Sequence, residues 1–278
     1  MHSDLTPTPV SGPTPVSRPT PVSDPTPTPV SGLVFTSERR LDEGVTEREF
    51  TLGEIPGTLW TPEAAGAPLP LVLMSHNNGL PKADPRLVAR ARYTAGRGYA
   101  VATIDAADCG DRPRSAASAR IRAELGRAMR DGAPAEVVEG VFEAMVGPMV
   151  RNAVPEWQAT LDALLELPGI GGPVGYSGGW AALGIHLAAV EPRIAAAGLF
   201  AGGYVPRAQR EEARRLTLPL LLLLQWDDGG NPRQNALDLF DSFASEHKTL
   251  HANTGGHVGT PWFELEDGCR FLDRHLKR

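Results

Sequence analysis

Three separated segments carry side chains able to act together on one bond. Gly175-Tyr176-Ser177-Gly178-Gly179 has the form G-x-S-x-G and stands between a strand-like and a helix-like stretch. A serine on a sharp strand-to-helix turn is pushed clear of the backbone. Flanking glycines tolerate the strained dihedrals, and the helix N-terminus behind supplies positive dipoles. A serine hydroxyl is a weak nucleophile at neutral pH, so it needs a base such as histidine. A carboxylate on the far side of the imidazole then fixes the tautomer and stabilises the imidazolium.

Both partners follow in the chain. An apolar run ends in Gln225-Trp226-Asp227-Asp228, and Asp228 leads through Gly229-Gly230-Asn231 to Pro232. That acid-x-x-x-Pro spacing into a helix favours Asp228 over Asp227; the plain alternative makes either a turn or capping residue. Thr254-Gly255-Gly256-His257 precedes the last amphipathic stretch, where the glycines suit a tight loop under His257. His251 is expected inside the last strand, and His76, His186, His247 and His275 in structural or exposed positions. A developing oxyanion needs donors. The backbone N–H of Gly178 is the first, and the loop Ser75-His76-Asn77-Asn78-Gly79 offers the second, Asn77 before Asn78. The pentapeptide alone is a weak signal in a chain with 30 glycines; the order serine, acid, histidine raises it.

The elements that must position these groups are legible as short apolar runs alternating with helical patterns. Strands are predicted at Leu69–Met74, Tyr99–Ile104, Pro173–Tyr176, Ile194–Phe200, Pro219–Gln225 and Lys248–Ala252. Helices are predicted at Pro85–Ala95, Trp157–Leu167, Trp180–Val190, Asn235–Ser245 and Trp262–His275. That alternation signals a parallel sheet covered on both faces, a doubly wound α/β fold. Val34–Leu52 and Gly57–Thr61 read as antiparallel strands at its edge. Residues 114–150 break the rhythm as two helices without a strand, with Leu125, Met129, Val137, Val141 and Met145 as apolar positions. The pair is a candidate cap over the strand ends, where open α/β sheets bind ligands. Arg112 just before it and its own Arg114, Arg120, Arg122, Arg127 and Arg130 are interleaved with acids, which favours a solvated face over an anion-binding mouth.

Composition bounds the rest. A chain of 278 residues with 41% hydrophobic and 22% charged residues is globular, and its formal charge of −6 disfavours nucleic acid and anionic membrane as partners. No apolar run approaches the roughly 20 residues needed to span a bilayer, and the N-terminus has no secretory pattern. Residues 1–32 repeat Pro-Thr-Pro-Val-Ser and read as a disordered polyproline spacer. Cys109 and Cys269 are too few for a disulfide framework, and a cytoplasmic location is the default. There is no His-x-x-x-His pair on a predicted helix, no Cys-x-x-Cys and no phosphate-cradling Gly-x-x-x-x-Gly-Lys, so no metal or cofactor is expected.

With Gly-Tyr-Ser-Gly-Gly, Gln-Trp-Asp-Asp and Gly-Gly-His in this order, the chain from about residue 33 onward resembles the α/β-hydrolases, and within them the dienelactone-hydrolase-like and small-esterase branch. Asp105–Pro113 resembles the loop such proteins carry after the second parallel strand. The resemblance implies a mostly parallel sheet of about eight strands, here with residues 114–150 as a small helical cap. It also implies a Ser177–Asp228–His257 triad and a cofactor-free acyl-enzyme mechanism. Two local features depart from the pattern: the strand before Ser177 is short, Pro173–Tyr176, and Trp180 stands where a small residue is usual. The expected function is a serine hydrolase of a small ester, lactone or thioester. The alternatives on the same fold are a carbon–carbon hydrolase, an acyltransferase or cyclase, and a non-catalytic binding protein. Substrate identity and oligomeric state are not legible.

Overall fold

The computed structural model describes residues 32–63, 68–76 and 80–277. The repeat tail, except Gly32, and both candidate donors Asn77 and Asn78 lie outside the described residues. The strands β1 (Leu33–Leu41), β2 (Val45–Leu52) and β3 (Ile55–Pro62) form an antiparallel meander. Gly44 at φ 71° and Gly53 at φ 58° turn the chain between them, a left-handed conformation that only glycine adopts without strain.

From there strands and helices alternate. They are β4 (Leu69–Ser75), α1 (Pro85–Gly96), β5 (Ala100–Ile104), α2 (Ala116–Arg130), α3 (Ala135–Leu165), β6 (Ile170–Gly178), α4 (Ala181–Val190), β7 (Ile194–Phe200), α5 (Arg207–Ala213), β8 (Leu220–Gln225), α6 (Arg233–Ser242), β9 (Lys248–Asn253) and α7 (Phe263–Leu276). One sheet collects all the strands in the order β1-β2-β3-β5-β4-β6-β7-β8-β9. Strands β5 to β9 run parallel, and β3 meets β5 antiparallel. The sheet thus has nine strands where about eight were expected, because Val34–Leu52 folds back as a hairpin.

Strand pleat sorts the apolar residues into two layers. Leu71 and Leu73 of β4, Tyr176 of β6 and Leu220, Leu222 and Leu224 of β8 pack with α3 and α4. Val72 and Met74 of β4 and Leu221 of β8 pack on the other face with α1 and α7. Each leucine so buried contributes about 1.5–3 kcal/mol. Alternation along β6 therefore sends Ser177, a neighbour of Tyr176, toward the α1 and α7 face.

Two expectations need correction. The helix read at Trp157–Leu167 is the end of α3, a 31-residue helix that carries Pro148 and Pro155 inside it. Proline in a helix interior forfeits a hydrogen bond. The row Met145, Met149, Val150, Ala153, Trp157 and Leu161 buries enough apolar surface against the sheet to keep the helix continuous. In addition, Met129 and Val137 of the helical pair are exposed rather than core. Cys109 and Cys269 are buried and form no disulfide. No described helix is long and apolar enough to cross a membrane.

Candidate active site

Ser177 does not stand on a sharp turn. It is the penultimate residue of β6, in register with Met74 of β4 and Gly198 of β7, and Gly178 behind it pairs with Ser75 and Leu199. Among the described residues only Asp108, at φ 62°, is a non-glycine with positive φ, and neither Gly178 nor Gly179 has positive φ. The strained elbow read from Gly175–Gly179 is thus replaced by extended backbone. The supposedly short strand is nine residues long, and α4 starts only at Ala181 with Trp180 as its N-terminal boundary. Gly178 is needed for a different reason: a Cβ there would collide with Ser75 Oγ and the Tyr176 hydroxyl. Tyr176 donates its phenolic proton to the Trp180 carbonyl at 2.9 Å, so the 2.6 Å bond to Ser75 is donated by the serine. Burial pushes the Tyr176 phenol above its ordinary pKa, which keeps it the neutral donor this chain of bonds requires.

The acid and the histidine are brought together. Asp228 Oδ2 lies 2.7 Å from His257 Nδ1, and Asp228 Oδ1 accepts the Gly230 N–H at 3.0 Å. Asp228 is 8% exposed, whereas Asp227 points to solvent, which decides between the two aspartates as the partner of His257. A neutral imidazole donating from Nδ1 keeps its lone pair on Nε2. Phe200 backs the ring edge-on, with centroids 5.4 Å apart.

The loop that carries His257 is fastened at both ends. Gln225 Nε2 donates to the Gly256 carbonyl at 3.1 Å, and the Trp226 N–H reaches the Asn253 carbonyl at 2.6 Å. Beyond the loop, Glu264 of α7 accepts from Asn253 Nδ2 and pairs with His251 Nδ1 of β9, each at 2.8 Å. His251, Glu264 and Asp267 are the described residues whose ligand atoms crowd within 4.8 Å. Those of His251 and Glu264 are committed to each other and Asp267 to Arg270, so the group acts as a staple between β9 and α7.

Ser177 and His257 line one cavity of about 490 Å³ between the sheet and the α1–α7 layer. Its volume lies within the range of small-molecule sites. No residue of the helical pair at 114–150 lines it; Leu80, Val258 and Trp262 do, as exposed apolar groups. Arg90 also reaches this cavity, and Arg90 Nη2 donates to Ser177 Oγ at 3.0 Å. Among the described residues Arg90 has no carboxylate within ion-pair distance, and no hydrogen bond joins Ser177 to His257. Burial lowers the basicity of the Arg90 guanidinium, as expected for a cation taken from water without a counter-ion.

Solved structures of similar architecture bear on this arrangement. An esterase from an Arctic intertidal metagenomic library, described as cold-adapted, superposes with a TM-score of 0.69 at 26% identity, over 87% of this chain and 98% of its own. An acetyl xylan esterase from Paenibacillus sp. R4 gives 0.64 at 15% identity over 88% of each chain. A putative dienelactone hydrolase from Klebsiella pneumoniae gives 0.59 at 16% identity, over 84% of this chain and 99% of its own. This chain has the α/β-hydrolase fold. Its neighbours fall in the esterase and dienelactone-hydrolase branch. No family model matches the chain, and a search of curated protein sequences finds no match.

In this chain of α/β-hydrolase fold, sequence reasoning missed Arg90 and the Glu264 staple. Arg90 had a readable signal. It shares a helix face with Leu87, Ala91 and Thr94, all buried against the sheet, and a cation in such a row needs a partner inside.

Proposed function

We propose that the chain is a serine hydrolase of small carboxylic esters, lactones or thioesters, with Ser177 as nucleophile, His257 as base and Asp228 as the group that orients it. The observation that carries this reading is the 2.7 Å Asp228–His257 pair on the wall of the cavity that also receives Ser177. Esterase neighbours on the same fold support ester chemistry over the other reactions the fold hosts. Ser177 Oγ forms a bond to the carbonyl carbon while its proton passes to His257 Nε2 and the C=O π pair moves onto oxygen. Collapse breaks the bond to the leaving group, which takes the proton from His257. Water, deprotonated by the same nitrogen, then releases the acid and restores Ser177. The Arg90 bond is compatible with this sequence, because it occupies an oxygen lone pair and leaves the serine proton free. No cofactor enters the scheme.

A non-catalytic reading draws on the extended backbone at Ser177 and on the lack, among the described residues, of a hydrogen bond from it to the imidazole. Covalent labelling separates the two. A fluorophosphonate should add one equivalent to the wild-type protein, mapped by mass spectrometry to Ser177, and none to Ser177→Ala. An unlabelled folded protein, or labelling of another residue, would refute the hydrolase reading.

A further inference from the structure

We propose that Arg90 is a catalytic residue whose guanidinium stabilises the oxyanion formed when Ser177 attacks a carbonyl. The inference rests on the reading of Ser177 as the nucleophile. In most designs for this chemistry the negative charge is met by backbone N–H groups at a tight turn and by a helix N-terminus directly behind the serine. Among the described residues those groups are paired in the sheet or distant. Gly178 is paired on both sides within the sheet, the Gly179 N–H is spent on the Ser75 carbonyl, and α4 begins only at Ala181.

A positive group stands at the place where the charge would form. Arg90 Nη2 is 3.0 Å from Ser177 Oγ, the atom to which the tetrahedral carbon becomes attached. The oxyanion sits one carbon beyond Oγ, within reach of the same planar fork. A guanidinium can hold two oxygens at once through parallel N–H groups. Half-burying a cation that has no counter-ion is unfavourable unless something compensates it. In the resting site the only described hydrogen-bond partner of the Arg90 guanidinium is a neutral hydroxyl, a poor match for a full charge. The match becomes good only as negative charge develops, which is the condition for lowering the barrier rather than merely binding substrate. Position on α1 supports the assignment. Leu87, Ala91, Thr94 and Ala95 lock the helix face against the sheet, so the arginine is presented from a rigid element rather than from a loop.

The test compares wild type, Arg90→Met, Arg90→Ala, Arg90→Lys and Ser177→Ala on p-nitrophenyl butyrate, each checked for folding by circular dichroism. Loss of one oxyanion donor costs about 10²–10³ in turnover. Arg90→Met should lose that much kcat with KM within a few-fold of wild type. Arg90→Lys, which keeps the charge but not the fork, should recover roughly a tenth of the wild-type rate. Guanidinium ion added to Arg90→Ala should restore part of the activity, an effect that a merely structural arginine would not produce. Unchanged kcat in folded Arg90→Met would overturn the proposal, as would a rise in KM alone, which would make Arg90 a ground-state binding group. If Arg90→Met does not fold, the Arg90→Lys rate decides: full wild-type kcat would refute a role for the fork. Failure of the underlying reading looks different: wild type and Ser177→Ala would then be equally inactive or equally active whatever stands at residue 90.

Discussion

At the scale of single residues, the structure separates neighbours that the sequence leaves nearly equivalent. Asp227 and Asp228 differ by one position, yet only Asp228 is buried and bonded to His257 Nδ1. Asp228→Asn should keep the fold and lower kcat/KM by about 10²–10⁴, since the amide presents the wrong hydrogen-bonding group to the imidazole. Asp227→Asn should stay within about two-fold of wild type, as expected for an exposed carboxylate. Steady-state kinetics on a p-nitrophenyl ester checks both, and equal losses would contradict the assignment. The candidates Ser177, Asp228 and His257 stand out in the sequence because their types and order answer one chemical need, and the structure sets Asp228 against His257. Arg90 was overlooked although it shares the apolar face of α1 with Leu87, Ala91 and Thr94, because an arginine in an amphipathic helix is ordinary until that face is known to be buried.

At the scale of elements, the contacts around β6 and α4 are tight enough to predict single substitutions. A Cβ on Gly184 would collide with the Tyr176 ring and Leu199. Gly184→Ala should therefore lower stability by about 1–3 kcal/mol despite the better helix propensity of alanine, measured by urea unfolding. The turn from α4 to β7 is held by Glu191, which takes two 2.7 Å bonds from Arg193 and a third from its backbone N–H. These bonds, chiefly the Arg193 side-chain pair, hold the Glu191 carboxyl down at about 2 against an ordinary 4.5. A depressed folded-state pKa means the contribution is present above about pH 4.5 and is lost as pH falls toward 2. With Arg193 well exposed, about 1–2 kcal/mol is at stake. Glu191→Gln should flatten the stability profile across that window, as followed by thermal melts; an unchanged slope would contradict it. The length of β6 was hidden by Gly171-Gly172-Pro173, which reads as a break. The sheet accommodates it with ladder irregularities between Leu69 and Leu71 and between Val174 and Gly175.

At the scale of the whole molecule, the fold class was legible because apolar strands alternating with helices admit few architectures. The place of the cavity was not. The expected cap over residues 114–150 lies away from it, and the walls come instead from the sheet, α1, α7 and the loop bearing His257. Arg114, Arg120, Arg127 and Arg130 are exposed on the helical pair, so Arg120→Ala with Arg127→Ala should leave kcat and KM on neutral and anionic esters unchanged. A selective loss on anionic esters would assign that face to substrate capture. The central claim is that Ser177, despite its extended backbone, is the nucleophile of an ester hydrolase. Hydrolysis of p-nitrophenyl butyrate by wild type and by folded Ser177→Ala tests it most directly. Turnover is expected of the wild type and a loss of at least about 10³-fold in the variant; equal rates in the two proteins would refute a nucleophilic Ser177.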